Sequence, residues 1–90
     1  MTVTAFIRHS VNDYDAWRSV YDGLGDLQTG NGVTAQSVHR LVGNGNDVTV
    51  VHQFDTLESA EAFLGSNELQ AAMRTGGVEG PPRIEICQDA

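Results

Sequence analysis

The spacing of apolar residues changes along this chain in a fixed order, and that order restricts the fold more than any other feature. Thr2–Ser10 is rich in β-branched and aromatic residues and predicts a strand. Tyr14, Trp17, Val20, Tyr21, Leu24 and Leu27 then recur every three or four positions, the stripe of an amphipathic helix. Asn12, Asp13 and Asp15 supply caps and negative charge at its start, and Gly30, Asn31 and Gly32 tolerate the positive φ that ends it. Val33–Val42 and Asp47–Phe54 return to strand composition, joined by Gly43-Asn44-Gly45-Asn46, a hairpin turn signal. Asp55 and Glu58 have capping-box spacing ahead of a second stripe, Leu57, Ala60, Phe63 and Leu64. Ser66 can recap the chain before Leu69, Ala72 and Met73, and Gly76 and Gly77 stop the helix. Pro81 and Pro82 force an extended approach to a last strand, Arg83–Cys87.

This β-α-β-β-α-β order predicts an α+β, ferredoxin-like fold, with residues 1–90 as a single domain. Right-handed crossovers put the first and third strands at the centre of a four-stranded antiparallel sheet, with both helices on one face. If water covered the other face, the strands would alternate cleanly. They do not: Phe6 adjoins Ile7 and Val50 adjoins Val51, so apolar groups point both ways. The expected cover is a second copy, sheet against sheet in a twofold homodimer.

The charge balance excludes some partners. Five Arg, no Lys and twelve Asp plus Glu give a net charge of −7, which argues against nucleic acid and against an anionic membrane surface. Apolar runs are only a few residues long, far short of the ~20 that span a bilayer. The opening MTVTAFIRHS has no basic region or long apolar run, so no signal peptide is expected. The single cysteine, Cys87, rules out an internal disulfide framework, and a cytoplasmic location is the default.

Candidate chemistry centres on few side chains. His9, His39 and His52 all fall on predicted strands, and three imidazoles that converge can hold Zn²⁺. Convergence depends on register. If Val42 pairs with Asp47, His39 shares the face of His52; if Val42 pairs with Val48, the two face opposite ways. The sequence leaves both open, has no short H-x-x-x-H spacing, and no metal is expected. His52 interrupts the apolar row Val48, Val50, Phe54, where an imidazole acts as general acid or base, hydrogen-bonds a ligand, or is simply a core histidine with a partner. Arg8 points to the face of Phe6, where it either pairs with Asp13 or Asp15 or anchors an anionic ligand. Tyr14, Trp17 and Tyr21 share a helical face and form core, pocket wall, or both. Glu58 and Glu61 fit a solvated, dipole-compensating role, and Cys87 a structural thiol. The glycine-rich turn lacks the context of a phosphate cradle.

The stretches HSVNDYDAW, VTVVHQFD, LESAEAFLGSNELQAAMRTGGVEGPP and RIEI together resemble small bacterial proteins of the dimeric α/β-barrel superfamily. That group includes antibiotic-biosynthesis-monooxygenase-like proteins and others labelled cyclases. The resemblance implies two ferredoxin-like subunits closing into a barrel, with a small apolar or aromatic molecule held between helices and sheet. It implies cofactor-independent oxygenase, cyclase or isomerase chemistry, or a non-catalytic binding dimer. Haem-degrading members use a His on the second helix; Leu57–Arg74 contains none, and Phe54 stands where a strand Trp is often found, so no cofactor is expected. The resulting ligand-binding candidates are Arg8, His52, Trp17 and Tyr21, with His52 the catalytic candidate.

Overall fold

The computed structural model describes residues 2–90. The elements are β1 (Val3–Val11), α1 (Tyr14–Asp22), α2 (Gly25–Gly30), β2 (Val33–Leu41), β3 (Asn44–Phe54), α3 (Leu57–Leu64), α4 (Asn67–Thr75) and β4 (Val78–Gln88). The strands form one four-stranded antiparallel sheet in the order β2-β3-β1-β4, the ferredoxin-like α+β arrangement expected from the sequence. Among the described residues no helix is long and apolar enough to cross a membrane.

Each predicted helix is two helices. Gly23 closes α1, its N–H donating to the Val20 carbonyl and that of Leu24 to the Tyr21 carbonyl, and the chain restarts at Gly25. Likewise Gly65 closes α3, and the Ser66 hydroxyl accepts from Leu69 N to open α4, the recapping that Ser66 suggested. The first cap is Asp13, whose carboxylate accepts from Asp15 N. The cap of α3 is Thr56, not Asp55: its backbone is extended just before the first helical turn and its hydroxyl accepts from Ser59 N.

The centre of the sheet is set by β1 and β3. Ala5 faces His52, Ile7 faces Val50 and His9 faces Val48. Side chains directly opposite in an antiparallel pair share a face. One face therefore carries Val3, Ala5, Ile7 and Val11 with Val48, Val50 and Phe54; these pack against Trp17 and Tyr21 of α1 and Ala60, Phe63 and Leu64 of α3. The other face presents Phe6 opposite Val51, with Thr4 and Arg8 along the same strand. Phe6 is 41% exposed there.

Two strand boundaries differ from the sequence expectation. The β2–β3 hairpin turns at Val42-Gly43, with Gly43 at φ +90°, so β3 begins at Asn44 and Val42 pairs with neither Asp47 nor Val48. His39 faces Thr49, and the register slips between Arg40 and Leu41. Asn46 N donating to Asn44 Oδ1 and Arg40 Nε donating to the Gly45 carbonyl hold the surplus residues. At the other side of the sheet β4 starts at Val78 and includes both prolines. An edge strand tolerates them, since a missing N–H there removes no ladder bond. The ladder to β1 shifts between Arg8 and Ser10, and Gly80 sits at φ +70°.

Candidate functional site

On the helix-covered face the aromatic side chains form a continuous row. His9 meets the Trp17 edge at 5.6 Å, Trp17 stacks on Tyr21 at 5.0 Å, Tyr21 lies 6.2 Å from His52, and His52 lies 5.6 Å from Phe63. The α1 period places Trp17 and Tyr21 one turn apart, and the β3 period places His52 between Val50 and Phe54. Between this row and α4 lies a cavity of about 40 Å³, lined on its polar side by His9, Gln28 and His52.

The hydrogen bonding of His52 is asymmetric. Tyr21 donates its hydroxyl proton to Gln36 Oε1 at 2.6 Å, and the same oxygen lies 3.0 Å from His52 Nε2. With the Tyr21 proton committed to Gln36, Nε2 must carry the imidazole proton and donate it to the phenol oxygen. Nδ1 is then a bare acceptor. It is buried without a partner among the described residues, and so are His9 Nδ1 and Gln28 Nε2. All three belong to side chains that line the one cavity. A buried polar atom without a partner costs about 1–3 kcal/mol, so three at one site point to a guest. Water is the minimal guest: the cavity has room for about two or three molecules.

Burial sets the charge state. It pushes the His52 imidazole down to about 4 and also lowers His9, so both are neutral near pH 7. Tyr21 is pushed above its ordinary value by burial, against the weaker opposing effect of the Arg18 charge. A stability prediction follows for His52, which is only 3% exposed. The unfolded chain binds a proton near pH 6.5 and the folded one near 4. Between those values the unfolded state holds more protons, so stability is full above pH 6.5 and falls as pH drops toward 4. The loss from this residue is about 3 kcal/mol, read from urea midpoints between pH 4 and 8. A flat profile would contradict a buried neutral His52.

The sequence candidates divide between two faces. Trp17, Tyr21 and His52 come together at the cavity. Arg8 lies on the opposite face of the sheet and pairs with Asp47 rather than with Asp13 or Asp15. The fork is bidentate, Nε to Oδ1 at 3.0 Å and Nη2 to Oδ2 at 2.8 Å. Asp13 is turned to its capping role, whereas Asp47 is a same-face diagonal neighbour of Arg8 across the β1–β3 ladder. Arg8 holds the Asp47 carboxyl below its ordinary value. His39 also lies on the opposite face, its Nε2 2.9 Å from Ser37 Oγ. Among the described residues no group of three or more His, Cys, Asp and Glu is placed to hold a metal ion. Cys87, expected as a structural thiol, is exposed because edge strand β4 carries it on the open face opposite Thr4. Glu58 and Glu61 are exposed on α3.

Gln28 and Gln36 were not visible as site residues in the sequence. Gln28 turns inward because the break at Gly23 reorients α2, and Gln36 reaches Tyr21 because the register sets it opposite His52.

No protein-family model matches this chain, and no curated protein matches it. Solved structures do. It superposes with a TM-score of 0.83 on a candidate antibiotic biosynthesis monooxygenase from Bordetella bronchiseptica, at 15% identity over 99% of this chain and 97% of that one. SnoaB, a cofactor-independent oxygenase from Streptomyces nogalater, gives 0.81 at 11% identity, covering 99% and 93%. A conserved protein from Methanosarcina mazei Go1 gives 0.80 at 10% identity, covering 100% and 94%. At such identities the likeness shows the fold alone, a ferredoxin-like architecture shared with these structures.

Proposed function

We propose that this protein binds a small, mostly apolar molecule bearing a hydroxyl or comparable donor between helices and sheet, and moves a proton there without a cofactor. The observation that carries the reading is the convergence of three partnerless buried polar atoms on one apolar cavity. Gln28 Nε2 is a donor for a ligand carbonyl or ether oxygen. The bare Nδ1 of His52 is the acceptor for a ligand O–H or an acidified C–H. Trp17 and Tyr21 give a flat apolar wall that fixes ring orientation. Removing that proton leaves an electron-rich anion. In an oxygenase such an anion itself supplies the electrons to dioxygen; in a cyclase or isomerase it attacks or reprotonates at another carbon. The likeness to SnoaB supports the first version at the level of fold.

One observation favours a second, non-catalytic reading: with its pKa near 4, His52 is a weak base. A binding protein needs only the acceptor. Phenol, an apolar ring with one O–H, tests the shared part. Saturable movement of the Trp17 indole and Gln28 side-chain amide resonances is expected with millimolar phenol. No saturable movement would overturn both readings. Dioxygen uptake with hydroxylated aromatic ketones then separates an oxygenase from a binder, and exchange of substrate C–H for deuterium in D₂O separates proton transfer of any kind from binding alone.

The working unit in this proposal is a twofold homodimer joined through the open sheet face. Phe6 and Val51 are cross-strand partners there and would bury each other's copies, with the Arg8–Asp47 pair beside them. Light scattering at low-micromolar concentration should give twice the 9.7 kDa chain mass. A single-chain mass at all concentrations would contradict it.

A further inference from the structure

The cavity beside His52 is too small for the ligand it is built to recognise. Small-molecule sites occupy about 300–1,000 Å³, and an engineered cavity needs roughly 150 Å³ to admit benzene. The space here is about 40 Å³. A second, more open hollow of about 270 Å³ lies between α4 and β4. Leu64, Met73 and Ile84 line both spaces, so these three side chains are the partition between them.

We infer that the two hollows are the inner and outer chambers of one binding site, that Met73 is the gate between them, and that the occupant is an elongated rather than a compact molecule. This inference rests on the proton-transfer or binding reading above.

The three partition residues differ in freedom. Leu64 is buried among Phe63 and Ala60 in the core. Ile84 is β-branched and held on β4 opposite Ile7, so its χ1 is stiff. Met73 is half-buried on α4, unbranched, with three rotatable bonds and little cost for changing shape. Turning it aside joins the chambers, and the joined space reaches the lower end of the small-molecule range. The outer chamber exists because β4 does not run flat against the helices. Gly80 at φ +70° and the ladder shift beside it bend the start of the strand, and Gly80 and Pro82 form the outer wall. That bend gives Pro81 and Pro82 a role beyond the extended approach to the last strand. A hydroxylated ring end would sit beside His52, and the remaining apolar length would pass Met73 into the groove, where Gln70 lines only the outer chamber.

The test compares phenol with 4-phenylphenol, titrated into ¹⁵N-labelled protein. Both should move the Trp17 indole resonance, phenol by turning the tip of Met73 aside without reaching the groove, and only 4-phenylphenol should move the Gly80 amide. Gln70→Trp, which fills the groove from an exposed position, should weaken 4-phenylphenol binding at least tenfold and leave phenol within twofold. Met73→Ala should tighten 4-phenylphenol several-fold. If phenol binds but 4-phenylphenol is indifferent to both substitutions or leaves Gly80 unmoved, the two-chamber inference is wrong and the inner-site reading stands. If neither compound moves Trp17, the reading fails and the inference falls with it.

Discussion

Phe63→Ala should cost this protein about 3–5 kcal/mol, a drop in melting temperature on the order of 15–30 °C. The side chain is fully buried where α3 meets the sheet, 6.0 Å from the Phe54 ring and 5.6 Å from His52. Neighbours on the rigid central strand β3 cannot collapse into the space, so the cavity term adds to the lost transfer energy. Total stabilities of domains are about 5–15 kcal/mol, so this one change removes a large share. Leu57→Ala, one α3 position that is 40% exposed, is the internal control and should lower the melting temperature by only a few degrees. Equal effects from the two variants would mean that α3 does not pack as described.

His52→Phe should have the second largest effect, split between two readouts. The ring keeps its place between Tyr21 and Phe63, while both nitrogens are lost. Tyr21 keeps its donation to Gln36, so the phenol group is not orphaned. Folding at pH 7 should therefore change little, and the acid-side loss of stability should shrink by about 3 kcal/mol, leaving the smaller contribution of His9. Phenol affinity should fall about tenfold, the value of one buried hydrogen bond. Ligand-induced stabilisation measures this directly, since it grows as RT ln(1 + [L]/Kd). A variant that binds phenol like the parent would remove His52 from the site, and one that keeps the full acid slope would remove its titration from the stability account.

The pattern of the fold was legible because each element boundary is local chemistry. Glycines end helices, Ser66 recaps one, and strand composition brackets the rest. What was not legible is relative placement. A hairpin register depends on the irregularities beyond the turn as well as on the turn itself: Gly43 closes the chain at the Leu41–Asn44 pair, and the slip between Arg40 and Leu41 then sets Arg40 opposite Val48, which decides that His39 leaves the face of His52. The partner of Arg8 was misjudged for the same reason: Asp13 and Asp15 follow closely in sequence, but Asp47 is nearer across the ladder. His52, Trp17 and Tyr21 could be named because a polar group in an apolar row and an aromatic stripe are visible one residue at a time. Gln28, Gln36 and the chamber behind Met73 exist only once helices and strands are set against each other.

The central claim is that His52 presents a bare Nδ1 to a guest in the cavity. Imidazole ¹⁵N shifts at pH 7, with and without saturating phenol, test it most directly. The account predicts a neutral ring protonated on Nε2, with the unprotonated Nδ1 signal moving as phenol is added while Nε2 stays bound to Tyr21. A doubly protonated ring, a proton on Nδ1, or an Nδ1 signal that phenol leaves in place would contradict it.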